Sequence, residues 1–185
     1  MKVTFTPPRP TCNDDGFAAQ TVHEFIKKYY PDSYHEDALV AEEFQDGIYE
    51  ALINELYLYH DPQVLMNILI RDYDWEFTAD NWDKIQHFDF FVRDRLKEKE
   101  LQWVKDNDIK PPFPVGSKVR LPAHYDEAVG IINKIYEYDP ARYCVLTEKQ
   151  VQYNKEMESM GKSERQGGYV LKFEDVELVE EYKRC

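Results

Sequence analysis

Apolar positions before residue 110 recur every three or four places, the spacing that lines one face of an α-helix. After the prolines at 111, 112 and 114 they gather instead in short runs rich in Val, Ile and Tyr, separated by Gly, Pro and Asp. The pattern predicts a helical half followed by a β half. A first helix is expected from about Asp15 to Tyr30, with Phe17, Val22, Phe25 and Ile26 inward and Pro31 as its stop. Ser33 with Glu36 has the form of a capping box, in which each side chain satisfies a free backbone amide of a new helix. That second helix buries a stripe of Val40, Phe44, Ile48, Leu52, Leu56 and Tyr59. Asp61-Pro62, an N-cap acid before a first-turn proline, restarts the chain as a third helix to about Asp72. Its residues Val64, Leu65, Met66, Ile68, Leu69 and Ile70 are apolar on every side, which places it in the middle of a bundle. A fourth helix, from about Asp80 to Lys105, aligns Ile85, Phe88, Val92, Leu96 and Trp103, with Asp80–Lys84 and Asp89–Arg93 as i,i+4 ion pairs.

Five strands are expected in the second half: Lys118 to Leu121, Ala128 to Tyr138, Tyr143 to Thr147, Tyr169 to Phe173 and Glu177 to Val179. Alternation sends Val119 and Leu121 inward against Lys118 and Arg120, and sets Tyr169, Leu171 and Phe173 opposite Val170 and Lys172. Asp139-Pro140 supplies a turn, and Gly130 marks a bulge or a sharp bend. Three prolines within 111–114 remove three amide donors and bias their neighbours away from helix, so the expected domains are 1–110, acidic and helical, and 111–185. The polar stretch 148–168 is an insertion, either a short helix between Thr147 as N-cap and Gly161 as stop or a mobile binding loop.

Four strings then stand in order: Val115-Gly116-Ser117-Lys118-Val119-Arg120-Leu121, Ala128-Val129-Gly130-Ile131-Ile132, Tyr143-Cys144-Val145-Leu146 and Phe173-Glu174-Asp175-Val176-Glu177-Leu178-Val179. Together they resemble the small SH3-like barrels of the Tudor and KOW type. The resemblance covers residues 113–179 and implies a five-stranded SH3-like β-barrel there; with the helices that the spacing predicts before it, the expected fold is α+β, a four-helix bundle followed by that barrel. Tudor-like barrels sometimes cage a methylated lysine or arginine by cation–π attraction, and Tyr125, Tyr136, Tyr138, Tyr143 and Tyr169 are the residues here that either build such a surface or pack the small core.

Composition narrows the class. Apolar residues make up 43% of the chain and aromatic ones 15%, which describes a folded protein, and a formal charge of -13 gives it a heavily hydrated exterior. No apolar run approaches the ~18 residues of a membrane span and no signal-peptide core opens the chain, so the expectation is a cytoplasmic protein. Cys12, Cys144 and Cys185 lie far apart without a CxxC pair, which favours reduced thiols. The charge is unevenly spread: residues 30–83 hold 14 acids and one base, Arg71. Glu42, Asp46 and Glu50 follow one another at four-residue spacing with Glu43 beside them, and each like-charge step costs a helix about 0.2–0.5 kcal/mol. Either this face only maintains solubility, or it docks on a basic partner, since carboxylates along helices imitate the phosphate track of DNA. Direct nucleic-acid binding is disfavoured by the same charge unless the barrel turns out a basic face, for which Lys118, Arg120, Lys134, Arg142 and Lys172 are the candidates.

Chemical motifs are sparse. His23, His35, His60, His87 and His124 each precede a carboxylate by one or two positions, a spacing that does not chelate on a helix, so no metal is expected. Cys144, His124 and Asp126 supply the residue types of a nucleophile, base and orienting acid, set against an inert thiol in an apolar strand. The chain has no P-loop, GxGxxG, GxSxG or HExxH, and no cofactor is expected. Pro7-Pro8-Arg9-Pro10 fits a PxxP segment able to dock in an aromatic groove, this protein's own included. The expected role is a non-enzymatic protein–protein interaction module acting through the acidic face (Glu42, Glu43, Asp46, Glu50), the barrel aromatics, or both. The alternatives are an acidic DNA mimic that inhibits a DNA-binding protein, as phages and mobile elements use, and an enzyme with its site in an interdomain cleft.

Overall fold

The computed structural model describes residues 2–31, 51–52, 61–75 and 78–179, an α+β chain of helices and one five-stranded antiparallel sheet. The described residues divide into two compact units, 10–99 and 2–9 with 100–179, so the proline stretch 111–114 lies inside the second. The Ser33–Glu36 capping box, the acidic ladder and most of the second expected helix lie outside the described residues.

In the helical unit, α1 (Phe17–Tyr29) buries Phe17, Val22, Phe25 and Ile26, the expected face. It begins after Gly16, whose φ of 75° suits a residue without a Cβ, and ends where the Tyr30 amide donates to Ile26 O just before Pro31. Helix α2 (Pro62–Tyr73) starts as its sequence dictates, with the Asp61 carboxylate accepting from the Gln63 amide at 2.8 Å. It is not the central helix that its composition suggests: Leu65, Met66 and Leu69 are buried, but Ile70 is 37% exposed. The expected fourth helix is two, α3 (Ala79–Ile85) and α4 (Phe88–Asp106). Between them the His87 amide bonds the Lys84 carbonyl three residues back, and the Phe91 amide restarts the ladder on His87 O. Both ion pairs form, Lys84–Asp80 at 2.6 Å and Arg93–Asp89 at 2.9 Å. Leu52, Ile85, Phe88 and Val92 complete a core with α1 and α2.

In the sheet unit, β1 (Lys118–Arg120), β2 (Val129–Tyr136), β3 (Arg142–Thr147), β4 (Tyr169–Lys172) and β5 (Glu177–Leu178) lie in the order β4-β3-β2-β1-β5. A 3-10 turn, Phe173–Asp175, precedes β5, which returns to pair with β1. The inner face carries Val119, Ile132, Tyr143, Val145 and Leu171 against Trp103, Phe113 and Phe173. The register shift falls between Ile132 and Lys134, not at Gly130. Gly130 answers a different need, since a Cβ there would stand 2.5 Å from Val145 Cγ1. Helix α5 (Glu148–Ser159) fills most of the insertion, with Thr147 and Gln150 forming a reciprocal capping box and Gly161 at φ 69° just past its end. It packs on β2 and β3.

Candidate functional site

The sheet unit gathers charge at one buried cluster. Arg9 is 7% exposed and Glu100 2%. Arg9 donates through Nε and Nη2 to the two Glu174 oxygens at 2.5 and 3.1 Å, through Nη1 to Pro140 O at 3.1 Å and through Nη2 to Ala141 O at 2.8 Å, and its Nη1 lies 3.2 Å from Glu100 Oε1. Arg142 closes the cluster by donating to both Glu100 oxygens at 2.8 and 3.2 Å. Burial alone lowers the Arg9 pKa; Glu174 and Glu100 outweigh it and hold the pKa above its ordinary value. Two cations and two anions cancel, and Arg142 is thereby withdrawn from the candidate basic face. The PxxP segment docks on the protein's own aromatic residue: Trp103 Nε1 donates to Pro7 O at 3.0 Å, and the Arg9 guanidinium lies 5.1 Å from the Trp103 ring. This is a clamp for the N-terminal segment, with its charges spent internally.

The expected tyrosines do not share one surface. Tyr143 is wholly buried on Phe173, and its hydroxyl donates to Phe113 O and accepts from Phe113 N at 2.9 and 2.8 Å, so no ligand reaches it. Burial raises its pKa, while the bond to the Phe113 backbone works the other way. Tyr136 and Tyr138 pair at 5.5 Å at the end of β2. Tyr125, in the β1–β2 connection, packs against Tyr169 at 4.5 Å and against the His124 ring at 4.3 Å. It borders a cavity of about 500 Å³ whose charged groups are Asp126, Asp175 and Glu177 against Lys2 and Arg120. Cys144 borders a different cavity from Asp126.

That other cavity, about 650 Å³, is a groove on the outer face of the sheet. Its floor is aliphatic: Ile131 from β2, Leu146 from β3, Val115 from the segment before β1 and Val151 from α5. Lys134, Lys155 and Arg165 stand around it with one acid, Glu158. The far wall is held in place by α5: Asn154 donates to Gln166 O at 3.1 Å and accepts from Gln166 N at 2.7 Å, and Gln150 Nε2 donates to Gly167 O at 3.0 Å. Gly168 admits the close approach of this wall, because a Cβ there would meet Val145 O at 2.6 Å and Cys144 Sγ at 2.8 Å. Sequence reasoning missed the groove, although Tyr143-Cys144-Val145-Leu146 carried its signal: a strand apolar on both faces needs cover on both.

The acidic-face residues Glu42, Glu43, Asp46 and Glu50 lie outside the described residues. No helix among the described residues is long and apolar enough to cross a membrane. No family model, curated protein or solved structure matches the chain.

Proposed function

We propose that the chain is a protein-binding module, not a catalyst, and that its sheet unit is an SH3-like binding domain that grips a cationic side chain of a partner at Tyr125. The strand order, the 3-10 turn before β5 and the return of β5 to β1 support the SH3-like reading. The observation that carries the binding reading is the Tyr125 ring, backed by Tyr169, on a cavity where three carboxylates outnumber two cations. An aromatic face draws a lysine, methyl-lysine or arginine head by its quadrupole, and the carboxylates add charge. Tyr136 and Tyr138 belong to a separate patch and are not part of this grip.

Fluorescence anisotropy with short peptides bearing lysine, trimethyl-lysine or norleucine at one position tests the reading on the full chain. The cationic peptides bind and the norleucine peptide does not; Tyr125→Ala weakens binding about 2- to 30-fold, the equivalent of a cation–π contact of ~0.5–2 kcal/mol. Equal binding of norleucine and lysine peptides refutes it. A second reading rests on the 14 acids and one base of residues 30–83: that block docks on a basic, DNA-handling protein. Reversing Glu42, Asp46 and Glu50 to lysine then abolishes capture of such a protein, and DNA competes for it; unchanged capture removes the idea.

A further inference from the structure

Beyond the Tyr125 cavity, we propose that the groove between α5 and the outer face of the sheet binds a short extended segment of a partner protein in which aliphatic side chains alternate with carboxylates. The floor presents real unsatisfied apolar surface, for Val115 is 56% exposed and Ile131 36%. Around it the charge is reversed relative to the chain as a whole: three cations face one acid in a protein of net charge -13. Those cations keep their charge available. Lys155 has no ion-pair partner among the described residues. Arg165 is held by the carbonyl oxygens of Lys162 and Glu164 at 2.7 and 2.8 Å, which orient the guanidinium without neutralising it. Lys134 reaches Glu137 only at 3.7 Å with both side chains at least half exposed, a pair worth little in water.

The wall is built in advance. The Asn154 and Gln150 bonds fix residues 166–167 onto α5, so a ligand does not have to order that loop and bears a smaller entropic cost. A volume of about 650 Å³ lies within the ~300–1,000 Å³ range of binding sites. Single-stranded nucleic acid also brings negative charge, but its bases bind by stacking on aromatic side chains, and no lining residue of this groove is aromatic. An acidic, aliphatic peptide satisfies floor and rim together: leucine-type side chains cover Val115 and Ile131, and carboxylates meet Lys155 and Arg165.

The test uses the full chain and three labelled probes: a short peptide alternating leucine with glutamate, the same peptide with glutamine for glutamate, and oligo(dT). The glutamate peptide is expected to bind roughly tenfold or more tightly than its glutamine counterpart, and Lys155→Glu with Arg165→Glu to remove that advantage. Both side chains are exposed, so the charge-reversed variant keeps its fold, checked by its circular dichroism and melting. The amide resonances that shift on binding are those of residues 115–116, 131–134, 154–158 and 165–168. Lysine peptide does not displace the glutamate peptide, which separates this groove from the Tyr125 cavity. Failure of the glutamate peptide to bind, equal binding of the two peptides, or indifference to the charge reversal overturns the proposal. Tighter binding of oligo(dT) at the same residues replaces it with a nucleic-acid surface.

Discussion

Arg9→Ala is the most severe test of how the sheet unit is held together. The substitution removes a bidentate pair with Glu174, the 3.2 Å contact with Glu100, two bonds to backbone carbonyls and the guanidinium over Trp103. Glu100, its side chain 3% exposed, keeps Arg142 alone. Breaking a buried pair by deleting one partner costs about 3–5 kcal/mol, because the remaining charge stays desolvated. That is a large share of the ~5–15 kcal/mol that holds a domain together. Arg9→Met, which keeps most of the volume, isolates the charge from the packing. Removing Glu100 as well, in Arg9→Met with Glu100→Met, leaves Arg142 and Glu174, whose side chains are 19% and 23% exposed and can draw on water, so the double variant recovers part of the loss. The expected coupling lies within about 0.5–3 kcal/mol. Because the chain has two units, hydrogen exchange read on peptides spanning 113–146 follows this unit directly in a urea titration. The Arg9 pKa is raised, so its contribution is fully present below the unfolded value and lost only as strong alkali passes the folded one; the effect is therefore flat from about pH 5 to 9. A loss below about 1 kcal/mol, or a double variant worse than the sum of the singles, refutes the reasoning.

Three further outcomes follow from local geometry. Tyr30 has a buried hydroxyl without a hydrogen-bond partner among the described residues, so Tyr30→Phe is neutral or stabilising by up to about 1 kcal/mol in thermal unfolding. Burial first, and the charge of Asp80 second, raise the Tyr30 pKa, so wild-type stability falls as pH rises through about 10, and the phenylalanine variant loses that part of the fall. Gly168→Ala drives a Cβ into Val145 O and Cys144 Sγ, costing about 1–3 kcal/mol and raising exchange at β4, whereas an unchanged melting curve contradicts the packing. Thr147→Ala removes the cap of α5 and its reciprocal bond with Gln150, lowering helix protection by about 1 kcal/mol without touching the rest of the sheet.

What could be read from the sequence was whatever neighbouring residues decide. The inward stripe of α1, the Asp61-Pro62 start of α2, the Thr147 cap and the Gly161 stop each depend on residues within about one turn of one another. The break between α3 and α4 has no glycine or proline to announce it, so helical spacing ran straight through Gln86 and His87. Ile70 shows that an apolar side chain marks a capacity for burial and not its fact. The Arg9 cluster joins residues up to 165 positions apart, beyond any periodicity argument, although the PxxP segment hinted that the N-terminus had an aromatic dock. For Tyr143 the sequence left a surface and a core role both open, because a strand's alternation needs its register before it has a direction: paired with the buried Leu171, it lies in the core.

The two binding readings differ in the sign of the ligand they accept, and ionic strength separates them. Residues 30–83 carry a net charge equal to that of the whole chain, while residues 111–185 hold 11 bases and 13 acids, close to balance. A cationic peptide approaching Tyr125 is attracted both by the overall field and by Asp126, Asp175 and Glu177, so its affinity falls steadily as salt is raised. An acidic peptide approaching the groove is repelled at long range by the net charge and attracted at contact by Lys155 and Arg165. Salt shortens the Debye length from about 30 Å at 0.01 M to about 8 Å at 0.15 M, which removes the long-range repulsion before it weakens contacts within a few ångström. Affinity for the glutamate peptide therefore rises with the first addition of salt, passes a maximum and then falls, with the early rise residing in the association rate. Stopped-flow anisotropy across that range measures both limbs. A monotonic fall for the acidic peptide as steep as that for the cationic one would mean that the cations of the rim, and not the surplus of carboxylates, govern the field outside the sheet unit.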